Sequence, residues 1–244
     1  MRKILLTNDD GWGYDGIRAL ENVASEFGEV WTLAPMSPMS GISHQITFEQ
    51  PMRLEQKGPR SFSLQGTPAD CVRVALTQLD VEFDWVLSGV NRGGNLGSDV
   101  NFSGTVAAAR EASLFQVNSI AISQLLKQFR QPFAWQTSEY QTRRVLESLF
   151  SRSMSNRTWF NVNLPHVELQ GLNQVQLRDV ELDPNPLPAE YRRTKDDRLL
   201  YCGVYRDRPK RKGCDVEVCF AGDMSIACHV DKAFKAELAR IHMV

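Results

Sequence analysis

No apolar run in this sequence approaches the ~20 residues needed to span a bilayer, and no secretory or transit leader precedes the first apolar stretch, so neither a membrane role nor export is expected. The five cysteines (Cys71, Cys202, Cys214, Cys219 and Cys228) are an odd number and include no C-x-x-C pair. That pattern argues against a thiolate metal site and for reduced thiols in a cytoplasmic protein. Histidine is also scarce: His44, His166, His229 and His242 lack any H-E-x-x-H or triad-like context, which removes the usual zinc hydrolase signature. With 28 basic and 29 acidic residues the net charge is -1, so no global field gathers nucleic acid or anionic membrane. The one basic cluster, RDRPKRK over Arg206 to Lys212, lacks interleaved aromatics. It reads as a solvated hairpin tip rather than a nucleic-acid contact.

What the sequence does have begins almost at once. Ile4-Leu5-Leu6 has the pattern of a buried strand, and Thr7-Asn8-Asp9-Asp10-Gly11 places two adjacent carboxylates where that strand should stop. In open parallel sheets ligands collect outside the carboxyl ends of the strands, and like charges ~4 Å apart repel by roughly 1 to 4 kcal/mol. A bound hard cation would turn that repulsion into attraction. Asn-Asp-Asp-Gly is equally ordinary turn chemistry, and both readings stand on this segment alone.

Further along, Ile17, Leu20, Val23, Ala24 and Phe27 recur at helical spacing before Gly28, and Val30 to Ala34 reads as a buried strand closed by Pro35. Together they predict a right-handed β-α-β unit and an α/β fold. A hydroxyl-rich loop carrying Ser40 and His44 follows, then alternating segments near 46 to 48, 52 to 55 and 61 to 65 that predict short strands. Thr67-Pro68-Ala69-Asp70 has the form of a helix start, with capping enough to explain Thr67 and Asp70. Strands are expected at Asp84 to Ser88, Asn118 to Ser123 and Trp159 to Pro165, with a polar connection over 128–132 and a helix over about 136–152. Beyond Pro165 come short alternating stretches at 174 to 180 and 199 to 206, a Pro-rich turn from Asp183 to Pro188, a strand at Met224 to Cys228 and a last amphipathic helix over 231–242. The expected division is a catalytic α/β core, 1–165, and a C-terminal extension, 166–244, packing on the core, on a neighbouring subunit or on both.

The stretch from Gly89 to Thr105 is the least ordinary. Five glycines and three asparagines lead into Val106-Ala107-Ala108-Ala109, a strong helix former, so backbone is being brought close to something. The N–H groups and dipole of that helix start, with the hydroxyls of Ser103 and Thr105, suit a phosphate group; a loop capped by Ser103 is the plainer alternative. Asp9, Asp10, Ser40, Asn91 and Asn95 all follow expected strands and all offer oxygen. Such donors fit Mg²⁺, Mn²⁺ or Ca²⁺ rather than Zn²⁺. A water acidified by such an ion beside a carboxylate, with phosphate held at Ser103, implies phosphate ester hydrolysis. His44, beside the hydroxyl loop, is a candidate for substrate contact. D-x-D, the usual spacing for an aspartyl-phosphate mechanism, is absent because Asp9 and Asp10 are adjacent.

At these residues the sequence resembles the SurE family of metal-dependent nucleoside monophosphate phosphatases. The likeness runs through Ile4 to Gly11, Ala34-Pro35 with Ser40-Gly41, Gly66 to Cys71, Ser88 to Asn91 with Gly94 to Gly97, and Phe102 to Ala109. It departs from the family pattern at Asp15, in Met36 to Met39 and at Ile226-Ala227-Cys228-His229, positions bearing on substrate preference and assembly. The resemblance implies a Rossmann-like three-layer α/β/α fold with a mainly parallel sheet and a C-terminal β-hairpin and helix arm used in oligomerisation. It also implies one divalent cation, Mg²⁺ or Mn²⁺, held by Asp9, Asp10, Ser40 and Asn91, with Asp9 and Asp10 catalytic. Phosphate contacts would come from Asn95, Ser103, Gly104 and Thr105. The expected protein is a 5'-nucleotidase, with 3'-monophosphates and polyphosphate as further candidates, assembled as a homodimer or homotetramer. The rival is a nucleotide- or phosphate-binding regulator without turnover.

Overall fold

The computed structural model describes residues 1–127, 134–155 and 157–230; the connection expected over 128–132 and the helix expected over 231–242 lie outside them. β1 (Arg2–Thr7), α1 (Asp15–Ala24) and β2 (Gly28–Pro35) form the first β-α-β unit. β3 (Leu54–Gly58), β4 (Ser61–Leu64), α2 (Pro68–Gln78), β5 (Trp85–Arg92), α3 (Gly104–Leu114), β6 (Asn118–Gln124), α4 (Trp135–Phe150) and β7 (Thr158–Leu164) follow. The strand expected near 46–48 does not form. The Asp70 carboxylate takes both the backbone N–H and the hydroxyl of Thr47, at 2.9 and 2.6 Å, so the donor a ladder would need is already used. Asp70 also completes the expected capping box with Thr67.

The alternation of side chains along the central strands builds two cores. Ile4, Leu6, Trp85, Leu87, Ile120 and Ile122 face Ile17, Leu20 and Val23 of α1 and Val145, Leu146 and Leu149 of α4. Leu5, Val86 and Leu33 face Cys71, Val72 and Ala75 of α2 and Ala108 and Ala112 of α3. A period of two on strands sandwiched by helices makes the three-layer α/β/α arrangement. α3 is lined with fully buried Val106, Ala107, Ala108 and Ala109, small side chains that let the helix lie close to the sheet.

The nine-stranded sheet runs β3-β4-β2-β1-β5-β6-β7, then β11 (Met224–Val230) and β8 (Leu177–Val180). β4, β2, β1, β5, β6 and β7 are mutually parallel, and β11 returns antiparallel beside β7. The C-terminal segment thus hydrogen-bonds into the sheet of the core. Between β8 and β11 lie β9 (Tyr191–Arg193) and β10 (Leu199–Tyr201), which pair only with each other, and the short helix α5 (Asp215–Ala221). The two crossovers from β1 diverge, β2 on one side and β5 on the other, so the topological switch point lies between the ends of β1 and β5. That crevice is where doubly wound sheets bind ligands. No helix among the described residues is long and apolar enough to cross a membrane.

Candidate active site

The turn after β1 is fixed by Asn8, whose buried amide donates to Gly11 O at 3.0 Å and accepts from Gly11 N at 3.1 Å. This closed Asx turn presents Asp9 to the crevice. Asp9 is buried, and the Thr105 hydroxyl donates to its Oδ1 at 2.7 Å. Gly104 is there for room: a Cβ on it would stand 2.9 Å from Asp9 Cβ and 3.2 Å from Oδ2. The start of α3 therefore sits directly against the carboxylate. Met39 N donates to Asp9 O at 2.8 Å, which brings the loop bearing Ser40 to the same place.

On the other wall, β5 carries an irregularity. Ser88 pairs with Ala121 and Asn91 with Ser123, so two β5 residues oppose one of β6. Gly89 (φ +139°) permits it, since a Cβ there would lie 2.3 Å from Ile122 O. Such a bulge re-aims the residues beyond it, here Asn91, whose Nδ2 donates to Gly93 O at 2.9 Å. Asn95 is clamped on all sides. Its backbone N–H donates to Asn163 Oδ1 at 2.7 Å, its Nδ2 to Ser123 Oγ at 2.7 Å, and its carbonyl accepts from Asn161 and Asn163 at 2.8 and 3.1 Å.

Asp9, Ser40, Asn91, Asn95 and Ser103 line one cleft of about 320 Å³, with Arg92, Asp99, Phe102, Leu187 and Tyr205 also in its walls. Ser103 caps α3 by accepting from Val106 N at 3.1 Å, which leaves its own hydroxyl hydrogen to give. Asp10, half-buried, and Thr105 are not among the residues that line the cleft, and Thr105 spends its hydroxyl on the Asp9 carboxylate. His44 does not line this cleft: its Nε2 is 2.7 Å from Glu111 Oε2, while Arg73 holds Glu111 Oε1 at 2.6 Å.

Sequence reasoning passed over Asn161, Asn163, Asp99, Tyr205 and Arg208. The Asn-x-Asn alternation on β7 was the available signal, because two amides on one buried strand face need partners. Arg208 corrects the reading of the basic cluster as a solvated hairpin tip. Its side chain is fully buried, with Nη1 2.8 Å from Asp99 Oδ2 and Nη2 3.0 Å from Leu96 O. The cause is the Asp99 carboxylate inside the fold, which also accepts from Tyr205 Oη at 2.7 Å and Leu96 N at 3.0 Å.

Burial dominates the electrostatics of the paired carboxylates. Burial raises the pKa of Asp9, against the hydrogen bond from Thr105 and backbone N–H groups of the α3 start. Burial first, then the charge of Asp9, lift Asp10 from its ordinary 3.8 to about 6, with Arg92 opposing. The folded protein therefore holds the Asp10 proton more tightly than the unfolded chain between those values. Stability falls as pH rises through that window, and the cost is complete above it. Asp10→Asn is expected to melt higher than the wild type at pH 7.5 in chelator, by roughly 2–4 °C per kcal/mol relieved, with the gain vanishing near pH 4. A lower melting temperature at pH 7.5 would contradict the assignment.

Residues 4–182 match the family described as Survival protein SurE. The chain belongs to the SurE family. Among relatives of this SurE chain, a Nostoc sp. protein provisionally named a 5'-nucleotidase is 42% identical over 91% of this chain and 97% of its own. The 5'-nucleotidase SurE of Rhodospirillum rubrum is 36% identical over 92% and 88% of the two chains. The crystal structure of SurE from Aquifex aeolicus superposes with a TM-score of 0.82 at 25% identity, covering 99% of both chains. The α/β fold with its mostly parallel sheet is thus the SurE fold.

Proposed function

We propose that this protein is a 5'-nucleotidase that hydrolyses nucleoside monophosphates with the help of one divalent cation, Mg²⁺ or Mn²⁺. The observation that carries this reading is the gathering of Asp9, Ser40, Asn91, Asn95 and Ser103 around one cleft at the switch point, beside relatives bearing that activity in their names. The donor set suits the ion. Two carboxylates whose pKa values are raised by burial, that of Asp10 also by the charge of Asp9, a hydroxyl and an amide oxygen are hard ligands. No cluster of three or more His, Cys, Asp or Glu side chains that could hold a metal is present among the described residues; the set proposed, from the likeness to the family, is Asp9, Asp10, Ser40 and Asn91. When bound, the cation supplies charge for the phosphoryl group and acidity to a water.

The residues of the chain do the rest. Thr105 and the backbone of the α3 start orient Asp9, whose carboxylate accepts the proton of the attacking water. The Ser103 hydroxyl receives a phosphoryl oxygen at the start of α3, where the helix dipole favours negative charge, while the N–H groups of Gly104 and Thr105, expected from the sequence to contact phosphate, are turned to Asp9. Asn95, immobilised by Asn161, Asn163 and Ser123, fixes the phosphate from the other wall. Water adds to phosphorus, the ester oxygen leaves as the nucleoside hydroxyl, and inorganic phosphate is released. Activity on 3'-monophosphates and polyphosphate, and self-association as a dimer or tetramer through the exposed Tyr191, Leu199, Leu200 and Tyr201 of the β9–β10 hairpin, belong to the same reading.

A metal-by-substrate matrix of phosphate release tests it. Chelated protein should release none, and Mg²⁺ or Mn²⁺ should restore release from nucleoside monophosphates. Saturable nucleotide binding with no phosphate under any metal would instead make the protein a regulator.

A further inference from the structure

The cleft that holds the polar groups also contains three ring or aliphatic side chains that phosphate hydrolysis does not use: Phe102, Leu187 and Tyr205. Phe102 sits one residue before the α3 cap and is 56% exposed, an arrangement that leaves a bare aromatic face beside the proposed phosphate position. Its backbone is not loose. Phe102 O accepts from Ser43 N at 3.0 Å, and the Ser43 hydroxyl donates to Asn101 O at 2.6 Å, so the ring is presented by a braced turn. Tyr205 is held by its Oη bond to Asp99, and the Arg208 guanidinium stacks 5.1 Å from its ring. Leu187 comes from the Pro-rich turn, whose start is tied down by Asp183: its Oδ1 accepts from Asn185 N at 2.9 Å and its Oδ2 from Arg211 N at 2.6 Å.

Resting on the hydrolytic reading above, we propose that Phe102, with Leu187 and Tyr205 brought in from the C-terminal segment, forms the wall that receives the nucleoside base, Phe102 being the stacking residue. Three features support this. The cleft volume of about 320 Å³ is at the low end of small-molecule sites, which hold one compact ligand. The part of a nucleoside monophosphate that phosphate-binding groups leave unsatisfied is a flat π system, and an exposed aromatic face is its natural partner. The side chains of Phe102 and Leu187 carry no donor or acceptor, so the wall grips any base by its face and does not read its edge.

The decisive measurement compares wild type, Phe102→Ala and Phe102→Trp on AMP, UMP and ribose 5-phosphate, a phosphomonoester of the same sugar without a base. Stacking of this kind contributes roughly tenfold or more in affinity. Phe102→Ala should raise KM about tenfold for AMP and UMP alike and shrink the preference for AMP over ribose 5-phosphate by the same factor. Phe102→Trp should restore it. An unchanged KM for nucleotides, or an equal rise for ribose 5-phosphate, overturns the wall. Calorimetric titration with AMP keeps the two readings apart: wild-type protein that binds AMP but releases no phosphate refutes hydrolysis, and the wall is then judged by whether Phe102→Ala loses that affinity about tenfold.

Discussion

Asp9→Asn should abolish nucleotide hydrolysis while leaving the protein folded. On the proposed roles of Asp9, anchoring the cation and taking a proton from water, its loss is expected to lower the rate of phosphate release by at least about a thousandfold at saturating Mn²⁺. The fold has reason to survive. Asn keeps an oxygen for the Thr105 hydroxyl, which donates at 2.7 Å, and it removes a charge that burial disfavours. Its size suits the tight space against Gly104. The checks are initial rates of phosphate release beside a thermal melt. Wild-type turnover in a well-folded variant would remove Asp9 from the mechanism.

The second large effect concerns stability. Arg208→Ala takes the cation away from a carboxylate sealed inside the protein, and such truncations typically cost about 3–5 kcal/mol because the remaining charge is left uncompensated. Asp99 would keep Tyr205 Oη and Leu96 N as donors but no longer the cation, and Leu96 O would lose the Nη2 bond. A fall in melting temperature of about 10 °C is expected for a chain of this size. The Gly94–Asn95 wall rests on the same clasp, so KM should rise along with the loss of stability. An Arg208→Ala protein melting within a degree of wild type would show that the pair contributes nothing net.

These two residues mark the limits of what could be read in advance. The position of Asp9 on the cleft was legible because carboxylates next to a strand end announce themselves, and β5, which carries Asn91 and leads to Asn95, opens on the apolar run Trp85-Val86-Leu87. The capping box at Thr67 and Asp70 was legible for the same local reason. Arg208 was not. Its burial depends on an aspartate more than one hundred positions away, and nothing in RDRPKRK separates an inward arginine from its solvated neighbours. Asn161 and Asn163 fall between: their alternation pointed to one face of β7, but only the fold places the Asn95 carbonyl opposite them. The strand expected near 46–48 failed because alternation over three residues is weaker than two hydrogen bonds to Asp70. The helix α5 and the strand β9 are short, seven and three residues, and carry too little periodicity to register.

The β9–β10 excursion leaves the body of the protein between two fastened points. Before it, Asp215 accepts from Asp183 N and Gly97 N, both at 2.7 Å; after it, Tyr205 and Arg208 grip Asp99. A ribbon pinned at both feet transmits little of what happens at its tip. Thr194 to Asp197, the bend between its two strands, is thus a natural place for a fluorescent reporter, one that would follow the self-association proposed for this hairpin without retuning the cleft below.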